Sequence, residues 1–172
     1  MNGSGPSAGL TVRIVGLGVE GAGTAAAVSR EILAAWGTRF ALDLGSLQVG
    51  NDRRGAVRAI RSWCDRDRVD VVLTVGRCGH LPEDYAPEMT APLLDRPLPG
   101  VEERMCLAPP RRPEHLLFRG RAGMRGGALI VNLPARASRV RTIARFLAPV
   151  IGHALEKARG SDRECAPPGE GR

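Results

Sequence analysis

Aromatic residues are scarce in this chain of 172 residues. They make up only 3% of the sequence, whereas 43% of the residues are hydrophobic. The core must therefore be filled by aliphatic side chains, and this length suits one compact domain with a core of its own. The scarcity also argues against a nucleic-acid partner, because such sites commonly combine basic residues with aromatic side chains on which bases stack.

Lysine is nearly absent, since Lys157 is the only one. The net charge is nevertheless +7, so almost all of the positive charge comes from arginine. This surplus favours anionic partners, and a guanidinium can bind a phosphate through two parallel hydrogen bonds. A bias in the base composition of the genome would produce the same surplus, so the arginines by themselves identify no ligand.

Paired cysteines and long apolar runs are missing as well. Cys64, Cys78, Cys106 and Cys165 show neither a CxxC pair nor the spacing of zinc ligands, which argues against a structural metal site. No segment approaches the length of about 20 apolar residues that spans a bilayer. The first ten residues do not have the pattern of a signal peptide. We therefore expect a cytoplasmic protein with reduced cysteines and no membrane partner.

Short apolar runs alternate with helical patterns along the chain, which predicts an α/β fold. The predicted strands are residues 11–15, 40–44, 69–74, 116–121 and 128–132, and the predicted helices are residues 24–36, 52–64, 86–94 and 138–157. The third strand is apolar on both faces, as a central parallel strand is. This order predicts a doubly wound sheet with ligands at the carboxyl ends of its strands.

The two ends of the chain differ in composition from its middle. Residues 1–10 are rich in glycine and serine, and the last residues combine proline, glycine and charge without an apolar period. We therefore predict a flexible N-terminus at residues 1–10, a single domain at residues 11–159 and a disordered tail at residues 160–172.

A first candidate site is the GxGxxG sequence formed by Gly16, Gly18 and Gly21, which follows the first strand and opens a helix. Dinucleotide-binding proteins hold their pyrophosphate at such a turn. Asp43 lies near the predicted end of the second strand, where these proteins place a ribose-binding acid. The motif supports a dinucleotide-binding oxidoreductase, but glycines that only form a tight turn would produce the same pattern.

The second candidate site is residues 71–88, in which an apolar strand runs into a glycine-bearing loop and then into acidic residues. Glycines let backbone N–H groups approach phosphate oxygens, and an acidic residue a few positions on can hold the Mg²⁺ that accompanies nucleotides. Arg77 and Cys78 interrupt the glycines of this loop. The segment predicts a site for a phosphate and a metal ion.

Several separated motifs follow one another in a fixed order. Residues 74–79 read Thr-Val-Gly-Arg-Cys-Gly, followed by Asp84 and by Ala-Pro-Glu at residues 86–88. Residues 119–134 contain an arginine, an Ala-Gly pair and Asn-Leu-Pro. These motifs resemble the molybdopterin-binding family of the Mog and MoaB proteins and the gephyrin G domain, whose central motif is Thr-Thr-Gly-Gly-Thr-Gly followed by an Asp and Thr-Pro-Glu. The ordered resemblance covers roughly residues 69–155.

The resemblance implies a three-layer α/β/α fold with a mostly parallel, doubly wound sheet. It also implies a homo-oligomer, either a trimer or a hexamer built as a dimer of trimers. The implied function is in molybdenum cofactor biosynthesis: binding of molybdopterin and its adenylylation with ATP and Mg²⁺. Catalysis of such a transfer consists mostly of positioning the reactants and neutralising charge on the transferred group.

Candidate site residues follow from the same resemblance. Asp84 is the expected acid that holds Mg²⁺ or orients ATP, and a solvated loop acid is the alternative. Asp52, just after the second strand, is the expected second catalytic acid, with a plain helix N-cap as the alternative. Ser138 is expected to cap the last helix, whose N–H groups would receive the pterin or its phosphate. The expected substrate- or phosphate-binding residues are Thr74, Gly76, Arg77, Cys78, Gly79, Pro87, Glu88, Asn132, Leu133, Pro134 and Ser138.

Departures from the family pattern leave a second function open. Residues 16–21 stand where the family has Ser-Asp-Arg, Arg77 replaces a glycine, Cys78 a threonine, and Ala135 the glycine after Asn-Leu-Pro. A side chain at Arg77 costs of order 1 kcal/mol if φ is positive there. Its guanidinium would either clamp a phosphate or fill the phosphate's place. In the latter case the chain would be a catalytically degenerate pterin- or nucleotide-binding protein or an assembly partner.

Overall fold

The computed structural model describes residues 7–18, 21–109, 112–158 and 160. The described elements are β1 (Ser7–Leu17), α1 (Gly21–Trp36), β2 (Phe40–Gly50), α2 (Arg53–Asp65), β3 (Val71–Val75), α3 (Ala86–Thr90), β4 (Arg96–Pro97), α4 (Pro99–Leu107), β5 (Ala122–Arg125), β6 (Ala128–Leu133) and α5 (Ala137–Ala158). Short 3-10 helices cover Ala91–Leu93 and Pro113–Leu117. Within the described residues, no helix has both the length and the apolar character needed to span a membrane.

The strands form one mixed sheet in the order β2-β1-β3-β6-β5-β4. β1 pairs in parallel with β2 and β3, and β3 pairs in parallel with β6, whereas β5 and β4 are antiparallel to their neighbours. All of β3 is buried, with Val71 and Val75 in the core on one face of the sheet and Val72 in the core on the other. The predicted, mostly parallel α/β sheet is confirmed.

Helices cover both faces of the sheet, which makes three layers. On one face, α1, α4 and α5 share an aliphatic core, and the indole Nε1 of Trp36 in α1 donates to the carbonyl oxygen of Ala144 in α5 (2.8 Å). On the other face, Ile60 of α2 and Met89 of α3 pack with Ile130 of β6. Because β1, β3 and β6 run parallel to one another, their carboxyl ends lie side by side at one edge of the sheet.

The boundaries of β1 and β2 differ most from those predicted. β1 begins at Ser7, so residues 7–10 belong to a strand instead of a flexible terminus; residues 1–6 lie outside the described part of the chain. β2 continues to Gly50, beyond the predicted end at residue 44, because it pairs with β1 along its whole length. Of the predicted disordered tail, only Gly160 is described.

The predicted strand at residues 116–121 is wrong. Pro113–Leu117 is a 3-10 helix that begins with proline, and the next strand, β5, starts only at Ala122. The apolar run in this segment does not mark a buried strand, since Leu116 is 72% and Leu117 50% exposed. Proline fixes φ near the helical value and provides no N–H for a sheet, which favours a helical turn here.

A buried polar cluster ties three elements together beneath the carboxyl edge of the sheet. The side-chain amide of Asn132 in β6 donates to the hydroxyls of Thr74 in β3 (2.7 Å) and Thr90 in α3 (2.8 Å), and its oxygen accepts from the Arg121 N–H (2.9 Å). The residues Thr74, Thr90 and Asn132 are all 0% exposed. Because buried polar groups are costly to leave unpaired, this cluster permits one arrangement of the three elements.

Replacing Asn132 by alanine should lower the free energy of unfolding by about 2–4 kcal/mol, since it leaves a backbone N–H and two hydroxyls unpaired in the core. Urea denaturation followed by circular dichroism measures this. Asn51→Ala is the matched control, because Asn51 is exposed and should change stability by less than about 0.5 kcal/mol. Equal stabilities of the two variants would contradict a structural role of the cluster.

Candidate functional site

The loop after β3 begins with a close approach to the end of β1. Gly76 has φ of 93°, and a Cβ atom at this position would lie 3.0 Å from the carbonyl oxygen of Leu17. Its N–H donates to the carbonyl oxygen of Leu133 at the end of β6 (2.9 Å). Glycine at position 76 therefore lets the loop turn at the junction of three parallel strands.

Arg119 holds the rest of this loop in place. Its guanidinium donates to the carbonyl oxygens of Gly79 (2.6 Å) and Asp84 (3.0 Å) and to the carboxylate of Glu88 (2.5 Å), while its backbone N–H donates to the carbonyl oxygen of Cys78 (2.9 Å). The hydrogen bond from Arg119 lowers the pKa of Glu88 below its usual value. The sequence analysis assigned Arg119 no role, and the only signal was its place at the start of the matched segment 119–134.

The carboxylate of Asp84 folds back over the loop. Its Oδ2 accepts from the N–H of Leu81 (3.0 Å), and a Cβ atom at Gly79 would lie only 2.5 Å from this oxygen. Gly79 thus provides the space that the carboxylate occupies. Within the described part of the chain, Oδ1 of Asp84 accepts no hydrogen bond and is available to a ligand.

A cavity of about 380 Å³ opens beside the loop. Its walls come from three segments: the loop from Arg77 to Asp84, the segment that includes the 3-10 helix Pro113–Leu117, and the turn that joins β6 to α5. This volume is within the range of small-molecule sites in proteins. The cavity lies at the carboxyl edge of the sheet, where ligands of parallel α/β proteins bind.

Arg77 lies along one wall of this cavity. Its backbone has φ of 54°, in the left-handed region that favours glycine. The guanidinium packs directly on Gly18, since a Cβ atom there would lie 2.6 Å from Nε of Arg77. In the described part of the chain it forms no ion pair or hydrogen bond. Arg77 therefore lines the cavity without filling it, while its guanidinium lies against Gly18.

Asp52 follows β2 as predicted and caps α2. Its Oδ1 accepts from the N–H of Gly55 (2.8 Å), which makes Asp52 the N-cap of α2. Its Oδ2 is 3.7 Å from a guanidinium nitrogen of Arg58. Asp52 does not line the cavity that Asp84 lines.

A shallower groove of about 490 Å³ lies between α2 and α3, next to Asp52. Arg53, Arg54 and Arg58 form its basic side, and the guanidinium of Arg53 stacks over the ring of Tyr85 at 4.0 Å from the centroid. The hydroxyl of Tyr85 donates to the carbonyl oxygen at the end of β2 (3.1 Å). Burial raises the pKa of this hydroxyl, so Tyr85 is a neutral link between the groove and the loop.

Several of the predicted ligand-binding residues have side chains that support the loop from beneath, and one of them, Cys78, also lines the cavity. The buried thiol of Cys78 donates to the carbonyl oxygens of Gly76 (3.0 Å) and Leu133 (3.4 Å), and burial raises its pKa. Thr74 and Asn132 belong to the polar cluster described above, and the side chain of Leu133 is in the core. Pro87 is buried at the start of α3, whereas Glu88 is exposed and paired with Arg119.

Pro134 lines the cavity, whereas Ser138 does not act as the predicted helix cap. Helix α5 begins at Ala137, so Ser138 lies within its first turn and is exposed. The helix therefore begins one residue earlier than the predicted start at residue 138. Ser138 is also absent from the cavity wall.

Asp43 does not lie where the GxGxxG motif of a dinucleotide site needs its acid. Asp43 lies in the middle of β2, not near its end, because this strand runs on to Gly50. Its carboxylate is exposed and pairs with Arg13 of β1 (3.0 Å). Residues 19 and 20 of the motif lie outside the described part of the chain. The predicted position of a ribose-binding acid is therefore wrong.

Fold and site together define an α/β protein with a small-ligand cavity at the carboxyl edge of a mostly parallel sheet, lined by a glycine-bearing loop. The model of a family described as "Probable molybdopterin binding domain" matches residues 13–153. The chain belongs to this family. The resemblance found in the motifs is therefore confirmed.

Solved structures and curated relatives agree with this assignment. The molybdopterin biosynthesis enzyme MoaB of Thermus thermophilus is 33% identical, with a TM-score of 0.75 over 88% of this chain and 97% of that one. The molybdopterin adenylyltransferase of Helicobacter pylori is 29% identical over 66% of this chain and 65% of its own length. The Drosophila melanogaster molybdenum cofactor synthesis protein cinnamon is 32% identical over 56% of this chain and 16% of its own length. The chain spans less than two thirds of each of these two curated relatives.

Arg119→Ala should raise the pKa of Glu88 toward its usual value of 4.5, because the variant removes the hydrogen bond that lowers it. A carbon-detected NMR titration of the glutamate side chains measures the change. A lowered pKa stabilises the folded chain above the unfolded-state pKa, and this contribution is lost as the pH falls through the folded-state pKa. The stability difference between wild type and variant should therefore shrink in acid.

Arg145→Ala is the control for this titration, since Arg145 is an exposed arginine of α5 that makes no contact with Glu88. The pKa of Glu88 should stay at its wild-type value in this variant. An equal pKa of Glu88 in Arg119→Ala and in the wild type would show that Arg119 does not hold the loop as described.

Proposed function

We propose that this protein acts in molybdenum cofactor biosynthesis, binding molybdopterin and adenylylating it with ATP and Mg²⁺. One observation carries the proposal: the cavity beside the loop stays open although Arg77 lines it where the family motif has glycine, and the guanidinium of Arg77 has no partner among the described residues. An open, cationic cavity suits a phosphorylated ligand. The family match and the activity for which the Helicobacter relative is named support molybdopterin as that ligand.

The reaction we propose is a nucleotidyl transfer. An oxygen of the pterin phosphate attacks the α-phosphorus of ATP, and the bond from this phosphorus to the bridging oxygen breaks, which releases pyrophosphate. The backbone N–H groups of residues 77–79 and the guanidinium of Arg77 would bind phosphate oxygens and neutralise their charge. The protein's part is mainly to position two anions that repel each other.

Asp84 is the residue that would hold Mg²⁺. The described residues contain no group of three His, Cys, Asp or Glu side chains suited to a metal. Mg²⁺ keeps several waters, however, and commonly binds through one or two carboxylates together with substrate phosphates. The unengaged Oδ1 of Asp84 fits this role, and bound Mg²⁺ would neutralise charge on the triphosphate. Asp52, at the start of α2, is the proposed second acid.

A homo-oligomer, either a trimer or a dimer of trimers, is the second part of the proposal. Large apolar side chains are exposed in the described chain, among them Leu33 (54%), Leu81 (51%) and Leu116 (72%). Burial of such side chains between copies would favour assembly. Light scattering on the purified protein gives the molar mass, which distinguishes a monomer from a trimer and a hexamer.

Asp84→Ala should reduce the formation of adenylylated molybdopterin by about 100-fold or more, as loss of a charge-positioning group typically does. The assay contains molybdopterin, ATP and Mg²⁺ and follows the adenylylated pterin together with pyrophosphate. Asp84→Asn keeps an oxygen acceptor for the Leu81 N–H and should fold normally but remain inactive. Asp67→Ala, an exposed acid outside the cavity, should retain wild-type turnover.

Two results would overturn parts of this proposal. Unchanged turnover in Asp84→Ala, with wild-type stability, would remove Asp84 from the mechanism. No adenylylated product from the wild type at any enzyme concentration would refute the enzymatic activity. Binding of molybdopterin without turnover would then identify a catalytically degenerate member of the family.

Arg77→Gly should weaken the binding of AMP roughly tenfold or more, because it removes a charged donor to phosphate. Its free energy of unfolding should stay equal or rise by up to about 1 kcal/mol, because glycine tolerates the positive φ. Calorimetry and urea denaturation measure the two quantities. Arg68→Gly is the matched control: Arg68 also has positive φ (51°) but does not line this cavity.

The control should show the same effect on stability and unchanged binding. Tighter binding of AMP by Arg77→Gly than by the wild type would mean that the guanidinium obstructs the cavity. That outcome would favour the catalytically degenerate alternative.

A further inference from the structure

Tyr85 connects the loop after β3 to the end of β2. Its side chain is buried, with only 5% exposed, and its hydroxyl donates to the carbonyl oxygen of Gly50 (3.1 Å). The guanidinium of Arg53, in the first turn of α2, lies over the ring at 4.0 Å from the centroid. Tyr85 does not line the cavity beside the loop, so it can affect a ligand bound there only through its neighbours.

The carbonyl oxygen of Gly50 joins Tyr85 to the backbone against which Arg77 lies. This oxygen accepts a second hydrogen bond, from the N–H of Gly18 (2.7 Å) at the end of β1. The side-chain amide of Gln48 donates to the carbonyl oxygen of Gly18 (3.1 Å), so β2 holds both polar backbone groups of Gly18. The guanidinium of Arg77 packs on this residue.

The main chain next to Tyr85 holds Arg77 from its other side. The N–H of Ala86 donates to the carbonyl oxygen of Arg77 (2.9 Å), whose φ of 54° is a strained conformation for a residue with a side chain. Such a backbone persists only where its surroundings fix it. Tyr85, Gly50, Gly18, Arg77 and Ala86 therefore form a closed chain of contacts around the strained residue.

The hydroxyl of Tyr85 keeps its proton although two positive charges act on it. Burial raises the pKa of Tyr85, and the charges of Arg53 and Arg77 lower it in part. Because burial is the largest of these effects, the hydroxyl stays neutral at physiological pH and remains a donor to Gly50. The closed chain of contacts is therefore intact under the conditions in which the protein works.

We infer that Tyr85 is a positioning residue, which holds Arg77 at the cavity wall in the geometry that binds a phosphate. Its hydroxyl does this by fixing the ends of β1 and β2, at Gly18 and Gly50, relative to the loop that begins at Gly76. Tyr85 itself makes no contact with the phosphate. The inference rests on the proposed function, because it takes Arg77 to bind a phosphate group of the ligand.

A double-mutant cycle of residues 77 and 85, measured by calorimetric titration with AMP and with molybdopterin, tests this inference. Tyr85→Phe removes only the hydroxyl and should weaken binding about threefold to tenfold, as loss of one hydrogen bond does. In the Arg77→Gly background the same change should leave binding unaltered, because the side chain that Tyr85 positions is gone. Equal losses in the two backgrounds would overturn the inference.

Trp36→Phe is the matched control for Tyr85→Phe. It also removes one donor from a buried aromatic side chain to a backbone carbonyl oxygen, that of Ala144, but on the opposite face of the sheet. This control should lower the melting temperature and bind AMP as the wild type does. Tyr85→Phe should melt close to the wild type, because the carbonyl oxygen of Gly50 keeps its bond from Gly18. A lower melting temperature of Tyr85→Phe with unchanged affinity would assign Tyr85 a structural role only.

NMR of the arginine Nε–H groups at mildly acidic pH provides a readout that needs no ligand. The Arg77 signal, identified by its absence in Arg77→Gly, should move in Tyr85→Phe and keep its wild-type position in Trp36→Phe. An unchanged Arg77 signal in Tyr85→Phe would show that the hydroxyl does not position this side chain.

The outcomes distinguish this inference from the proposed function. If the wild type binds neither AMP nor molybdopterin, the proposed function fails and the inference fails with it. If the wild type binds them and Tyr85→Phe binds equally tightly, only the inference fails. Weaker binding by Tyr85→Phe that disappears in the Arg77→Gly background supports the inference, even if the wild type forms no adenylylated product and the enzymatic part of the proposed function fails.

Discussion

The side-chain amide of Asn132 is the contact on which the site depends. It joins β3, β6 and α3 at a depth where water cannot replace a lost hydrogen bond, so these elements have one low-energy arrangement. The loop that starts at Gly76 and the helix that starts at Ala86 leave from those elements. The relative position of the loop and the helix is therefore set by contacts within the core and does not depend on surface residues.

Above this core, one guanidinium gives the loop its shape. Arg119 donates to two loop carbonyls and to Glu88, which lets a segment with little secondary structure stay rigid. The left-handed backbone of Arg77 is strained, but the surrounding contacts hold it. Gly18 completes the arrangement, because any larger residue would meet the Arg77 side chain. Strained backbone that the surrounding contacts hold in place is common at ligand-binding sites.

Local signals predicted the site best where the chemistry is local. The N-cap at Asp52 and the buried strand β3 follow from residues next to them in sequence, and both were found as predicted. The position of Asp43 near a strand end and the strand at residues 116–121 were predicted wrongly, because strand length and exposure depend on pairing partners that are distant in sequence. β2 extends as far as β1 can pair with it, and a leucine-rich run that meets no second element stays exposed.

The order of motifs alone determined the family, the α/β fold and the segment that forms the site, since these depend on apolar periodicity and on glycines where backbones must meet. Only the tertiary structure decided what each side chain does. It turned Thr74 and Asn132 inward, placed Asp52 outside the cavity that Asp84 lines, laid Arg77 over Gly18 and joined Tyr85 to Gly50. The reason is physical: the direction of a side chain depends on packing between segments far apart in sequence, which no local pattern records.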